Sequence, residues 1–74
     1  MSEVVYAVPE FSGKNISVVE AAKIMGKDQQ FVRQAMIQGV IDIGTAFKKE
    51  GSSQYDFYIS PYKFWQYTGY IHRD

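Results

Sequence analysis

Apolar residues recur at helical spacing twice between residues 16 and 39, and the pattern turns to alternation after residue 40. Val18, Ala21, Ala22 and Met25 form one inward stripe, with Ile24 beside it. Ser17 precedes the stripe as an N-cap, and Glu20 three residues later completes a capping box. In that box Ser17 accepts from the Glu20 amide while Glu20 reaches back to the Ser17 amide. Gly26 suits the left-handed position that ends a helix. Asp28 then caps a second helix, predicted to run to Gln38, with Gly39 at its stop. Phe31, Val32, Ala35 and Met36 fall on its apolar side; Gln29, Gln30, Arg33 and Gln34 fall on the other. Ile37 breaks the pattern by falling among the polar residues, and packing under the following hairpin is one way to place it.

The alternation from Val40 to Phe47 predicts a strand with Ile41, Ile43, Thr45 and Phe47 on one face. Tyr55–Ile59 predicts another, with Tyr55, Phe57 and Ile59 together. The polar stretch Lys48–Gln54 between them contains Gly51 and reads as a hairpin loop. Ser60 and Pro61 open a third helix as cap and first residue; it carries Phe64, Trp65 and Tyr67 and closes at Gly69. The expected fold class is α+β, a small winged helix-turn-helix of two helices, a two-stranded hairpin wing and a C-terminal helix. Residues 1–15 are an N-terminal arm or short strand, centred on Val4–Val8 and stopped by Pro9, or else a loosely ordered tail. Residues 16–74 are the domain.

A chain of 74 residues has room for one small core. Aromatics make up 16% of it, and eight of the twelve lie between Tyr55 and Tyr70, so they are the expected lid of that core. Phe64 and Trp65 are expected inside, and some tyrosines outside. The absence of cysteine excludes disulfides and thiolate zinc sites. The first residues lack the basic and apolar runs of a signal peptide, and no segment approaches a membrane span, so a cytoplasmic protein is expected.

Eight basic and eight acidic residues cancel, but unevenly. Residues 1–12 carry −2, residues 13–49 carry +3, and residues 50–74 carry −1. The positive charge therefore sits in the helix–turn–helix segment and is modest, which implies weak phosphate affinity for one copy. Glutamine can bond adenine N6 and N7, and arginine can bond guanine O6 and N7. Gln29, Gln30, Arg33 and Gln34 are thus candidates for reading base edges. Any solvated helix face is also polar, so the face gains meaning only from its context. Lys48 and Lys49 at the hairpin tip, with Ser52 and Ser53 behind them, are candidates for phosphate or minor-groove contact, against a simple solubilising role. Lys27 flanks the turn beside the second helix; Lys23 and Lys14 are weaker candidates. His72 has no evident partner and is expected in a frayed terminus. No catalytic set, phosphate-binding glycine loop or metal-ligand spacing emerges, so neither enzyme activity, cofactor nor metal is expected. The run Tyr62, Phe64, Trp65, Tyr67 and Tyr70 has a second reading as a stacking platform or a protein-partner surface.

The run from Ile16 to Gly26 resembles the opening helix of excisionase-type and MerR-like winged helix-turn-helix domains. So does the later Phe31-Val32-Arg33 followed by Gly39-Val40-Ile41, and the resemblance continues through the hairpin and the Pro61 helix, over residues 16–68. It also extends to small proteins of phages and mobile elements in low-GC Gram-positive bacteria. The resemblance implies a recognition helix at Gln29–Gln38 in the major groove and a wing around Lys48–Gln54. Arg33 matches an arginine common in that helix of the family. Excisionases are small architectural proteins that bind adjacent DNA sites, bend DNA and direct an integrase toward excision. This chain departs from them in its neutrality and its extra fifteen N-terminal residues, and it lacks the coiled-coil helix and effector domain of full MerR regulators, so effector sensing is not expected. The expectation is a sequence-specific DNA-binding protein, excisionase-like or a small transcription regulator. Its partner is double-stranded DNA, and an integrase or a second copy on DNA would raise its affinity. The alternative is a protein-interaction module on the same fold, serving phage assembly or inhibition of a host factor.

Overall fold

Three helices and one antiparallel hairpin surround a single small core in the computed structural model, which describes residues 8–72. They are α1 (Val18–Met25), α2 (Gln29–Ile37), β1 (Gly44–Lys48), β2 (Tyr55–Ile59) and α3 (Pro61–Thr68). This is the expected α+β class in a winged-helix-like arrangement. Most of the expected strand Val4–Val8 lies outside the described residues; Val8 is exposed and extends no strand. Among the described residues, no helix is long and apolar enough to cross a membrane.

Local chemistry sets the helix ends. Ser17 Oγ accepts from the Glu20 amide at 3.0 Å, Asp28 Oδ1 from the Phe31 amide at 2.7 Å, and Ser60 Oγ from the Lys63 amide at 3.3 Å. Each satisfies a first-turn donor that has no carbonyl to bond. At the end of α1 the Gly26 amide donates to Lys23 O and the Lys27 amide to Ala22 O. That pair is a Schellman motif, and it requires the left-handed backbone that Gly26 adopts at φ 70°. The same pair of bonds closes α2, from Gly39 to Met36 and from Val40 to Ala35. Two such tight stops within fourteen residues turn α1 sharply into α2 and α2 sharply toward the hairpin.

The core is built from Ile16, Ala21, Ala22, Val32, Met36, Ile43, Ile59 and Phe64. The small Ala21 and Ala22 let α2 approach α1 closely, and Val18, Ile24 and Met25 pack at the margin. The expected strand face is corrected at two points. The chain bends at Ile43, so β1 begins at Gly44 rather than Val40. Ile41 and Ile43 reach the core from before the strand, and within it Ala46, not Thr45 or Phe47, faces inward opposite Phe57. Phe47 is 57% exposed. The aromatic lid is also narrower than expected: Phe64 alone among the α3 aromatics is fully buried, and Trp65 is half-buried.

Gly44 marks where the two strands touch most closely. A Cβ there would lie 1.8 Å from the carbonyl oxygen of Tyr58 and 2.9 Å from Ile59 Cα, both backbone atoms that cannot rotate aside. On the other edge of β2, Asn15 and Ile16 bond the backbone of Ile59. The Ile16 amide donates to Ile59 O at 3.1 Å, and Asn15 Oδ1 accepts from the Ile59 amide at 2.9 Å. The asparagine side chain thus stands in for a strand carbonyl. The Tyr58 hydroxyl donates to Gly13 O, and the Phe11 ring packs on Tyr62 and Trp65 with centroids 6.1 and 5.9 Å away. Residues 11–16 are therefore joined to β2 and α3.

Two stability changes follow. Gly44→Ala is expected to cost about 3 kcal/mol, at the high end for overpacking, because the clash is with backbone. Asn15→Ala is expected to cost about 1–2 kcal/mol by orphaning the Ile59 amide, while Asn15→Asp retains most of the stability. Urea unfolding of the three variants measures both; a Gly44→Ala midpoint equal to the parent's would contradict the strand approach described.

Candidate nucleic-acid interface

The exposed side of α2 follows from its helical period and from where its buried side lies. Val32, Ala35 and Met36 are buried against α1 and the hairpin, so the opposite side carries Gln30 and Gln34, with Phe31 at its edge. Phe31 was expected inside, and the residue is instead 41% exposed. Position 31 is one residue before the buried Val32 and so sits at the border of the apolar stripe. Val32, fully buried, shares the core with Ala21 and Ala22. Lys27, one turn earlier, places Nζ 5.2 Å from the Phe31 ring centroid, a cation–π contact that covers one face of the ring.

The four polar candidates on α2 separate into two pairs. Gln30 and Gln34 are exposed, and their side chains make no hydrogen bond among the described residues. Gln29 and Arg33 are half-buried and bonded to each other, Arg33 Nη2 donating to Gln29 Oε1 at 2.9 Å. That i, i+4 bond holds the guanidinium along the helix edge. Asp28, at the start of the same helix, spends its carboxylate on the Phe31 amide.

The wing is the loop from Lys49 to Gln54 between β1 and β2. Ser52 belongs to the turn itself: its amide donates to Lys49 O at 3.1 Å and its Oγ accepts from the Gln54 amide at 3.0 Å. Ser53 and Lys48 are exposed, Lys48 on the last residue of β1. Lys49 lies 3.6 Å from Asp56 on β2, and Lys63 lies 2.9 Å from Asp42. Both pairs are well exposed and each is worth little to stability. Their consequence is for the charge map: Lys14, Lys23, Lys27, Arg33 and Lys48 remain without an acidic partner among the described residues. The neutral chain thus offers free positive charge chiefly on the helix–turn–helix half.

His72 is not frayed. Its Nδ1 lies 2.6 Å from Glu20 Oε2, with the imidazole side chain only 16% exposed. Glu20 therefore faces the C-terminal segment instead of closing the second half of its capping box. Sequence spacing gave no signal for this contact, since the two residues are far apart in the chain. Among the described residues no cluster of histidine, aspartate or glutamate could hold a metal ion.

Compared with protein-family models, curated proteins and solved structures, the chain matches none. Its candidate interface therefore stands on its own geometry.

Because the α2 face is solvent-exposed, its substitution leaves the fold intact. Lys27→Ala is expected to lower stability by at most about 0.5–1 kcal/mol, the worth of an exposed cation–π contact. Gln30→Ala and Gln34→Ala are expected to stay within about 0.5 kcal/mol of the parent. Thermal or urea unfolding checks this, and a larger loss at Gln30 or Gln34 would contradict their open, unbonded position.

Proposed function

We propose that this chain is a sequence-specific DNA-binding protein of the winged helix-turn-helix kind, an excisionase-like or small regulatory factor of a phage or mobile element. In this reading α2 enters the major groove and the wing lies on the flanking backbone. The observation that supports it is the free polar face of α2, set off by the tight Gly26 turn and flanked by cations without acidic partners. Gln30 and Gln34 have open hydrogen-bonding groups of the kind that pair with adenine. Lys27, Lys48 and Arg33 supply phosphate contacts. Lys49 is a weaker contributor while Asp56 neutralises it. With few cations, one copy binds loosely, so adjacent copies on DNA or an integrase partner bring useful affinity.

The fluorescence anisotropy of a random duplex pool, titrated with the full chain over a range of salt, tests the proposal. Three phosphate contacts give a slope of log K against log salt of about −3. Lys48→Ala is expected to reduce that slope by about one and to weaken all sequences alike. Gln30→Ala is expected to reduce preference among sequences with little change in slope. Asp56→Asn releases Lys49 and is expected to strengthen binding to every sequence at low salt. No binding to the pool at low salt would overturn the DNA reading.

A second reading is a protein-interaction module on the same fold. It is favoured by Phe47, the most exposed aromatic of the hairpin, which shares the outer face with Tyr58. Under it, Phe47→Ser abolishes partner binding while the α2 substitutions are silent.

A further inference from the structure

An exposed phenylalanine at the edge of a polar helix face is the least expected feature of the surface. Phe31 flanks Gln30 and Gln34 on α2, lies outside the core cluster, and has one ring face covered by Lys27. Its backbone is fixed by the Asp28 cap, which bonds its amide directly. The exposed Phe31 is thus held at the first turn of a capped helix, beside two glutamines whose side chains are unengaged.

We propose that α2 reads adenine–thymine pairs in the major groove, with Phe31 packing on the C5-methyl group of a thymine and Gln30 or Gln34 bonding an adjacent adenine. The proposal rests on the DNA-binding reading and specifies what that face recognises. The thymine methyl is the one apolar group that a base edge presents in the major groove, and a phenyl ring is a fitting contact for it. Glutamine matches the N6 donor and N7 acceptor of adenine. The helix rises about 5.4 Å per turn and base pairs stack about 3.4 Å apart, so Gln30 and Gln34 address base pairs at or next to the one Phe31 touches. Guanine readout would call for an arginine on the open face, and Arg33, half-buried and bonded to Gln29, lies along the helix edge. Lys27 serves twice: its ammonium holds the ring and lies toward the flanking phosphates.

The test replaces thymine by uracil, which removes only that methyl. The preferred duplex is first selected from a random pool with the full chain, and each thymine in it is then changed singly to uracil. Affinity is expected to fall about fourfold at one or two positions, the worth of one buried methyl group, and to be unchanged elsewhere. Phe31→Ala is expected to bind the thymine and uracil duplexes equally. Phe31→Leu, which keeps an apolar tip, is expected to retain part of the discrimination. Circular dichroism and urea midpoints of both variants establish that they are folded. A selected site rich in G·C pairs, thymine–uracil indifference at every position, or discrimination that survives in Phe31→Ala would each overturn the proposal while leaving DNA binding standing. Absence of binding to any duplex would overturn both.

Discussion

The backbone of Ile59 is the junction on which the rest of the molecule depends. Its side chain is fully buried. Its amide and carbonyl are taken by Asn15 and Ile16, and it lies opposite Gly44 in the hairpin. The next residue, Ser60, donates its amide to Ile43 O and caps α3. Arm, hairpin and third helix are thus joined within two residues. Buried backbone groups must find partners, so the position of Ile59 fixes where all three can lie. Once they are fixed, Phe64 and Ile43 close the core beneath α1 and α2, and α2 keeps one side free.

The parts of the structure legible in the sequence are those set by residues three or four apart. Ser17, Asp28 and Ser60 cap where their spacing indicated, and Gly26 and Gly39 end helices where expected. Their chemistry is local, and among these caps a tertiary contact overrides it only at Glu20, whose carboxylate turns to His72. What escaped was set by contact at a distance. The bend at Ile43 moved the start of β1 and turned Phe47 outward, because the close strand approach at Gly44 had no signature in periodicity. Phe31 misled because a border position on an apolar stripe is decided by the volume left by its neighbours. The strand-like use of Asn15 depends on a partner far along the chain.

The charge of the chain also reads differently in three dimensions. Neutrality by count conceals a division: acidic groups on the hairpin side hold Lys49 and Lys63, while the cations of the helix–turn–helix half are left open. The candidate interface was legible as a set of residue types; its internal order was not. Arg33 and Gln29 became an edge pair and Gln30, Phe31 and Gln34 the open face. Side-chain partnership made that distinction, and sequence spacing alone does not rank residues on one face of a helix.

The bridge from Asn15 to Ile59 spans 44 residues, and this bears on the order in which the protein is made. During synthesis α1 and α2 can acquire their caps and glycine stops from neighbouring residues as soon as they emerge. The arm has nothing to bind until β2 has followed. Chain closure over a long loop carries an entropic cost that only the completed contact offsets. Residues 11–16 therefore leave the ribosome well before β2 and are among the last to be secured. Until then Ile16 and the α1–α2 pair expose the apolar surface that the hairpin will cover.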